Sequence, residues 1–333
     1  MNLRSDPEQF REVPAGLLPD LSVIVVNYNT AHLLDRMIDA LSAARQHFTI
    51  QLIIVDNAST DVASDLLRPK YPDVEWIANG RNVGFGRANN QALPLIRGKY
   101  VLLLNTDAFV SPDTLLRTIA FMDQNSRCGI LGVRLVSEDG ALQPSCRYFP
   151  TPWNEFVVAT GLQRLFPATR LVDDMSWDHA AIRECDWVPG CYYLMRRELI
   201  ERIGLFDPRY FLYFEEVDHC MAARAAGWSV VFFPFTEVVH IGGESAKTRG
   251  PITTSGRQIS ALQIESRLLF FRKHYGLKGV LEAILLCVVK VGMAAGKDLV
   301  ARRRPTRVSG EVAELRASLR SLLATGFATR PTR

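Results

Sequence analysis

LSVIVVNYN, residues 21–29, is a run of β-branched and apolar residues that stops at Asn27-Tyr28-Asn29. Apolar side chains at consecutive positions, without polar alternation, are the pattern of a strand buried on both faces, as in a parallel sheet. The next segment, 31–48, carries Leu33, Leu34, Met37, Ile38 and Leu41 at helical spacing, so the chain is expected to return along the sheet as a helix. The unit then repeats. IQLIIVD (50–56) ends in Asn57-Ala58-Ser59-Thr60-Asp61, a cluster able to cap the next helix. VEWIAN (74–79) ends in a Gly-rich turn with a helix from about Ala88, and YVLLLN (100–105) ends in Thr106-Asp107.

Four strand–turn–helix units in series predict a parallel α/β sheet with crossover helices on its faces. Ligands of such sheets bind beyond the carboxyl ends of the strands. Asn27, Asn29, Asp56, Asn57, Asn82, Asn105 and Asp107 all fall at that edge. Further along, a helix (113–124), strands at 129–136 and 187–195, short helices at 196–206 and 211–228, and a strand at 229–234 are expected. Residues 144–185 have no clean period and read as a long excursion near the site. Residues 1–20, punctuated by Pro7, Pro14, Gly16 and Pro19, read as an irregular lead-in; 246–256 reads as a Gly/Ser/Thr-rich loop. Helices are expected over 258–275 and 277–305.

Composition narrows the class. Of the 333 residues 48% are hydrophobic and 22% charged, the balance of a folded globular chain. Six scattered cysteines form no CxxC pair, which disfavours a zinc site or disulfide framework and predicts reduced, cytoplasmic thiols. MNLRSDPEQFREVP has no continuous apolar stretch, so no signal peptide is expected. The net charge of +4 conceals an asymmetry: residues 297–333 hold nine Lys or Arg against three acids, so the rest sums to −2. That basic tail lies beside an apolar helix rather than among interleaved aromatics. It points to an anionic membrane surface and not to nucleic acid.

Individual residues leave two readings open. A carboxylate at the open end of a buried strand needs a partner, and a divalent cation bridging phosphates is one. Asp107 reads this way, or as a cap of the helix beginning at Ser111-Pro112-Asp113. Asp56 reads as an acceptor for a nucleobase, or as an Asx-turn. RNVGFGRANN (81–90) reads as a turn in which Gly84 and Gly86 let the backbone approach a ligand, or as a plain turn before a helix; it lacks the GxGxxG spacing of dinucleotide sites. Glu215-Glu216-Val217-Asp218 follows FLYF, and clustered carboxylates against apolar surface raise one another's pKa, which suits a general base. The alternative is an acidic first helical turn. His240 follows a strand, and a lone histidine is more often structural than a ligand. Ser245 and Lys247 could contact phosphate in a closing loop.

Together these residues resemble the family 2 glycosyltransferases with the GT-A fold, in particular the bacterial branch of rhamnosyltransferases and related cell-surface polysaccharide enzymes. The resemblance runs from about Leu21 to Lys247. It is carried, in order, by SVIVVNYN, IIVDNAST, NVGFGRANN, LLLNTDA, VPGCYYLMRRELIERIGLFD, YFEEVD and VHIGGES. It implies a mixed, mostly parallel central sheet flanked by helices in a catalytic domain over 21–247, with a helical, basic C-terminal extension over 248–333.

The family pattern also implies roles. Asn27, Tyr28 and Asn29 match the first nucleotide-contacting strand end, Asp56 with Asn57 the nucleobase acid and its neighbour, and Asn82, Gly84 and Asn90 the loop lining the donor. Asp107 matches the last acid of the metal-binding DxD, whose first acid is here Asn105; Asn105 and Thr106 then join the nucleotide-sugar contacts. His240 matches a histidine that often completes the metal site. Glu216 matches the base position, usually Asp, and the change leaves Glu215 and Asp218 as competing bases. Ala222 stands where relatives often have Arg. The implied activity is inverting transfer of a sugar from a nucleotide diphosphate donor, with Mg²⁺ or Mn²⁺, to a glycan or lipid-linked acceptor. The implied place is the inner face of the plasma membrane, with a peripheral contact through the C-terminal helix; a homo-oligomer is compatible with the sequence. A nucleotide-sugar-binding protein without turnover is the competing class.

Overall fold

The computed structural model describes residues 19–61, 63–242, 261–300 and 306–333. β1 (Leu21–Asn27) is buried along nearly its whole length, and α1 (Ala31–Ser42) covers it with Ala31, Leu34, Met37, Ile38 and Leu41, one apolar stripe at helical spacing. β2 (Ile50–Asp56), α2 (Ala63–Lys70), β3 (Glu75–Ala78), α3 (Phe85–Gln91) and β4 (Tyr100–Leu104) follow as the apolar runs predict. β1 pairs in parallel with β2 and β4, and β2 with β3; the register sets Asn27 opposite Asp56. α3 begins at Phe85 rather than near Ala88, because Gly84 at φ +92° makes the turn into it.

After β4 come β5 (Ala108–Phe109), α4 (Pro112–Gln124), β6 (Cys128–Val136), β7 (Leu142–Gln143), α5 (Pro152–Thr160), β8 (Arg183–Glu184), β9 (Tyr192–Arg196), α6 (Arg197–Ile203), α7 (Glu215–Ala225) and β10 (Ser229–His240). The sheet order is β3-β2-β1-β4-β9-β6-β10-β5, with β7 on β6 and β8 on β10. β9 lies antiparallel between β4 and β6. The sheet is therefore mixed, and the start of β9 meets the end of β4. The strand expected over 187–195 pairs in the sheet only from Tyr192 onward. β10 outruns its expected end at Pro234: an irregularity between Phe233 and Glu237 carries it past the proline to His240.

The chain forms two compact units. The first holds the sheet: residues up to Arg147, Met175–Asp207 and the segment from Glu216. The second holds Tyr148–Asp174, Pro208–Glu215 and the C-terminal helices α8 (Ala261–Val300) and α9 (Thr306–Ala324). A boundary at 247/248 leaves out its first two segments. One of them contains α5, a helix absent from the expectation for 144–185. Its start is a capping box, in which Thr151 Oγ1 accepts the Asn154 N–H (3.1 Å) and Asn154 Oδ1 accepts the Thr151 N–H (2.8 Å).

Within the second unit α5, α8 and α9 surround a cavity of about 630 Å³ crossed by an ion network. Arg267 Nη1 lies 3.5 Å from Glu155 Oε2 and 3.4 Å from Glu314 Oε1, and Lys290 Nζ lies 2.6 Å from Glu314 and 3.0 Å from Glu311. Burial raises the Glu155 pKa against the pull of Arg267. α8 bends at Gly276 (φ +67°), so the helices expected over 258–275 and 277–305 meet at one kink.

Candidate active site

Two loops at the carboxyl edge of β1 and β2 are tied into one network. Asn27 Nδ2 donates to Asp56 Oδ2 (3.1 Å) and to Ser59 Oγ (3.0 Å). Asn27 Oδ1 accepts from Thr30 Oγ1 (2.9 Å), which in turn accepts from Thr106 Oγ1 (2.9 Å). The network thus reaches from β2 across β1 to the segment after β4. Asn29, at φ +56°, accepts the Thr60 N–H through Oδ1 (2.7 Å), and Asp61 Oδ2 accepts the Ala31 N–H (3.1 Å). Asp61 therefore serves the N-terminus of α1, the helix on the other loop. Tyr28 is half-buried beside them.

The turn reading of Asp56 is realised, since its Oδ1 accepts the Ser59 N–H (2.8 Å). Each carboxylate oxygen still has a second lone pair to offer. Asn57 organises the neighbouring loop: Nδ2 donates to Asn82 Oδ1 (3.0 Å), and Oδ1 accepts from Asn79 Nδ2 (3.1 Å) and the Val83 N–H (3.0 Å). Asn82 also accepts the Gly84 N–H (2.9 Å). Asn90 bonds both ways to the Phe206 backbone, at 2.7 and 3.0 Å, and staples α3 to the loop after α6. Its amide is engaged away from the strand-end cluster.

Asp107 does not cap α4. Ser111 does, its hydroxyl accepting the Thr114 N–H (3.2 Å). β5 and the end of β10 pair as a short antiparallel ladder, with His240 opposite Ala108. That ladder sets His240 Nε2 3.5 Å from Asp107 Oδ1, while Asp107 Oδ2 accepts the Gly242 N–H (3.1 Å). Gln143, a residue with no motif to mark it, fixes the ring. Its Nε2 donates to the His240 carbonyl (2.8 Å), so its Oε1 faces Nδ1 (2.8 Å) and accepts that proton. Nε2 is left with its lone pair toward Asp107. Burial lowers the His240 pKa against the opposing charge of Asp107, which keeps the imidazole neutral.

An imidazole lone pair and a carboxylate, with the other ring nitrogen held from behind, suit Mg²⁺ or Mn²⁺ when a diphosphate and water complete the shell. Among the described residues no group of three or more His, Cys, Asp or Glu gathers as a metal cage. Ser245 and Lys247 lie outside the described residues.

Glu216 is reached from the same place. The Asn105 N–H donates to the Cys191 carbonyl (3.1 Å), which joins the end of β4 to the start of β9. Burial pushes the Cys191 thiol up to about 12, which removes it as a nucleophile. Glu216 Oε2 is buried with no hydrogen-bond partner. Burial raises the Glu216 pKa, opposed by the backbone N–H dipoles of Glu216 itself and Gly190 and by the charge of Arg147. Arg147 was not foreseen; it pairs backbone to backbone with Trp187, and its guanidinium stacks 4.2 Å over that indole. Glu215 and Asp218 are both buried. Tyr213 and Phe214, both at φ +70°, lead into α7, a strained approach of the kind retained at functional sites.

Residues 22–177 match the family model of Glycosyl transferase family 2. Among curated proteins, the N-acetylglucosaminyl-diphospho-decaprenol L-rhamnosyltransferase of Mycobacterium tuberculosis is 28% identical over 66% of this chain and 75% of its own. The Rhamnosyltransferase WbbL of Escherichia coli is 25% identical over 66% of this chain and 82% of its own. The solved mannosyltransferase PcManGT from Pyrobaculum calidifontis, in complex with GDP-Man and Mn²⁺, superposes with a TM-score of 0.49 at 18% identity, covering 92% of this chain and 88% of that one. Residues 22–177 thus carry a family 2 glycosyltransferase domain, in a chain that is similar over about two thirds of its length to these two rhamnosyltransferases.

Proposed function

We propose that this glycosyltransferase is metal-dependent and inverting, and moves rhamnose from dTDP-rhamnose to a hydroxyl of a lipid-linked glycan acceptor at the inner face of the plasma membrane. The observation that carries the reaction type is the Glu216 carboxylate. Burial raises its pKa, and its Oε2 is buried with no hydrogen-bond partner. A base needs that combination: a vacant acceptor oxygen and a pKa moved toward the working pH. The names of the two rhamnosyltransferases support the sugar, and the decaprenol-linked substrate of the first supports a lipid-linked acceptor.

Asp107 and His240 Nε2 would hold Mg²⁺ or Mn²⁺, which supplies charge neutralisation on the diphosphate leaving group. Asn27, Asn29, Asp56 and Thr106 present the nucleotide-facing edge, and Asn57, Asn82 and Gly84 shape the loop beside it. Glu216 takes the proton of the acceptor hydroxyl as its oxygen bonds to the anomeric carbon. The bond from that carbon to the diphosphate breaks, and its electron pair leaves with the diphosphate. One displacement from the opposite face inverts the centre, and no covalent intermediate on the protein is required. A protein that binds nucleotide sugars without turnover has no use for an unpartnered base. A donor panel assayed with metal and acceptor tests the proposal, with dTDP-rhamnose expected to be turned over fastest.

A further inference from the structure

Beyond the kink at Gly276, α8 has two apolar faces. Val280, Ala283, Cys287 and Ala294 are buried inside the second unit, and Lys290 on that side pairs with Glu311 and Glu314 of α9. Leu277, Leu281, Leu285, Val288 and Val289 recur at helical spacing, and at about 100° per residue they centre roughly half a turn away. They are 43, 53, 61, 50 and 41% exposed, and Leu299 further along is 80% exposed. A continuous stripe of this kind is not the scatter of single leucines usual on a soluble surface.

Glu282 is half-buried at the edge of the stripe, beside Val289. Asp298 is buried and accepts the Val308 N–H (3.1 Å), while Glu311 and Glu314 turn inward to Lys290. Lys273 and Lys278 near the kink are exposed, as are Arg316 and Arg320 of α9, which alternate with exposed Leu319 and Leu323; Lys297 at the far end is exposed and donates to the Thr160 carbonyl (3.2 Å). In sequence Arg302, Arg303 and Arg304 follow, outside the described residues.

We propose that this outward face of α8 is a docking surface for an anionic phospholipid membrane, lying along the lipid–water interface. An apolar stripe with basic ends suits that position: the leucines enter the headgroup boundary and the lysines meet lipid phosphate. By length and composition alone α8 could also cross a bilayer. Spanning would draw the Lys290–Glu311–Glu314 ion pairs and α9 into hydrocarbon, at a cost that no isolated helix bears. A symmetric pair of chains joined by the stripe would set basic end against basic end, whether parallel or antiparallel. The inference rests on the lipid-linked acceptor only for its purpose, since the surface is defined by its own residues.

Flotation of the full chain tests it, using vesicles of equal phosphatidylcholine and phosphatidylglycerol, and vesicles of phosphatidylcholine alone. Wild type should float with the anionic vesicles and be released by high salt. The double variant Leu281→Asn, Leu285→Asn, altered only at exposed positions, should partition at least ~10-fold more weakly with an unchanged melting temperature. Transfer to a water-soluble acceptor analogue, measured on the same samples, should stay at the wild-type rate. A soluble wild type, or a variant that floats equally well, overturns the proposal. So does a wild-type dimer that the double variant splits without any loss of flotation, because the face would then join two copies. Absence of transfer with flotation intact counts against the catalytic reading and leaves the docking surface standing.

Discussion

Asp107 Oδ1 and His240 Nε2 stand 3.5 Å apart because a short antiparallel ladder brings the end of β10 back beside the segment after β4. Gln143 completes the relationship by bonding both the carbonyl and the ring of His240. Asp107→Ala or His240→Ala should abolish metal-dependent donor binding with the fold intact. Gln143→Leu, which leaves both ligands in place, should weaken Mn²⁺ by about 10–100-fold. Calorimetric titration of Mn²⁺ in the presence of nucleoside diphosphate reads this, and wild-type affinity in all three variants would remove the metal assignment.

Glu216→Gln should lower kcat by about 10²–10⁴-fold with donor affinity nearly unchanged. Glu215→Gln and Asp218→Asn are the controls. If either shows the large loss while Glu216→Gln does not, the base sits on the wrong acid of the cluster.

The pH dependence follows from the raised Glu216 pKa. The base works ionised, so kcat should fall with decreasing pH at a value above that of an ordinary carboxylate. Arg147 opposes the rise; Arg147→Gln should move this acidic limb to higher pH, and Arg147→Lys should restore most of it. A limb that stays in place in Arg147→Gln would separate Arg147 from the base.

Stability should respond in the opposite sense. A carboxyl whose folded pKa is raised binds its proton more tightly folded than unfolded. Its favourable contribution is present below the unfolded value and is lost as pH rises through the folded one. Glu216→Gln removes the buried charge, so it should melt above wild type at neutral pH, with the gain vanishing in acid. Thermal melts across pH decide this, and a variant less stable at neutral pH would contradict the burial account.

In the second unit, Arg267→Met leaves Glu155 and Glu314 without the guanidinium between them. Removing one partner of a buried ion network costs about 3–5 kcal/mol. Denaturant unfolding should show a loss of that order, and a change near zero would mean that the network is relaxed by solvent.

The parallel half of the sheet was legible because its strands are buried on both faces and read as unbroken apolar runs closed by Asn or Asp. Asn27, Asp56 and Asn57 gather at that edge as their strand-end positions imply. The partnership of His240 with Asp107 was legible only through family likeness. It depends on β10 running through Pro234 and an irregular register, which no local pattern announces. α5 stayed hidden because nine residues are too few for a clear period, although Thr151-Pro152-Trp153-Asn154 spells its cap. Gln143 and Arg147 act through partners remote in sequence, Gln143 on the His240 ring and Arg147 on Glu216, so nothing adjacent to them marks their roles.

If Glu216 deprotonates the acceptor hydroxyl during metal-assisted sugar transfer, its loss must slow release of the nucleoside diphosphate. The most direct measurement is nucleoside diphosphate release from dTDP-rhamnose with Mn²⁺ and a lipid-diphosphate-linked sugar acceptor, for wild type and Glu216→Gln, with the product anomer read by NMR. Wild type should show acceptor-dependent release and an inverted product, and Glu216→Gln a rate at least ~100-fold lower. A retained anomeric configuration, or equal rates in the two proteins, would contradict that role of Glu216.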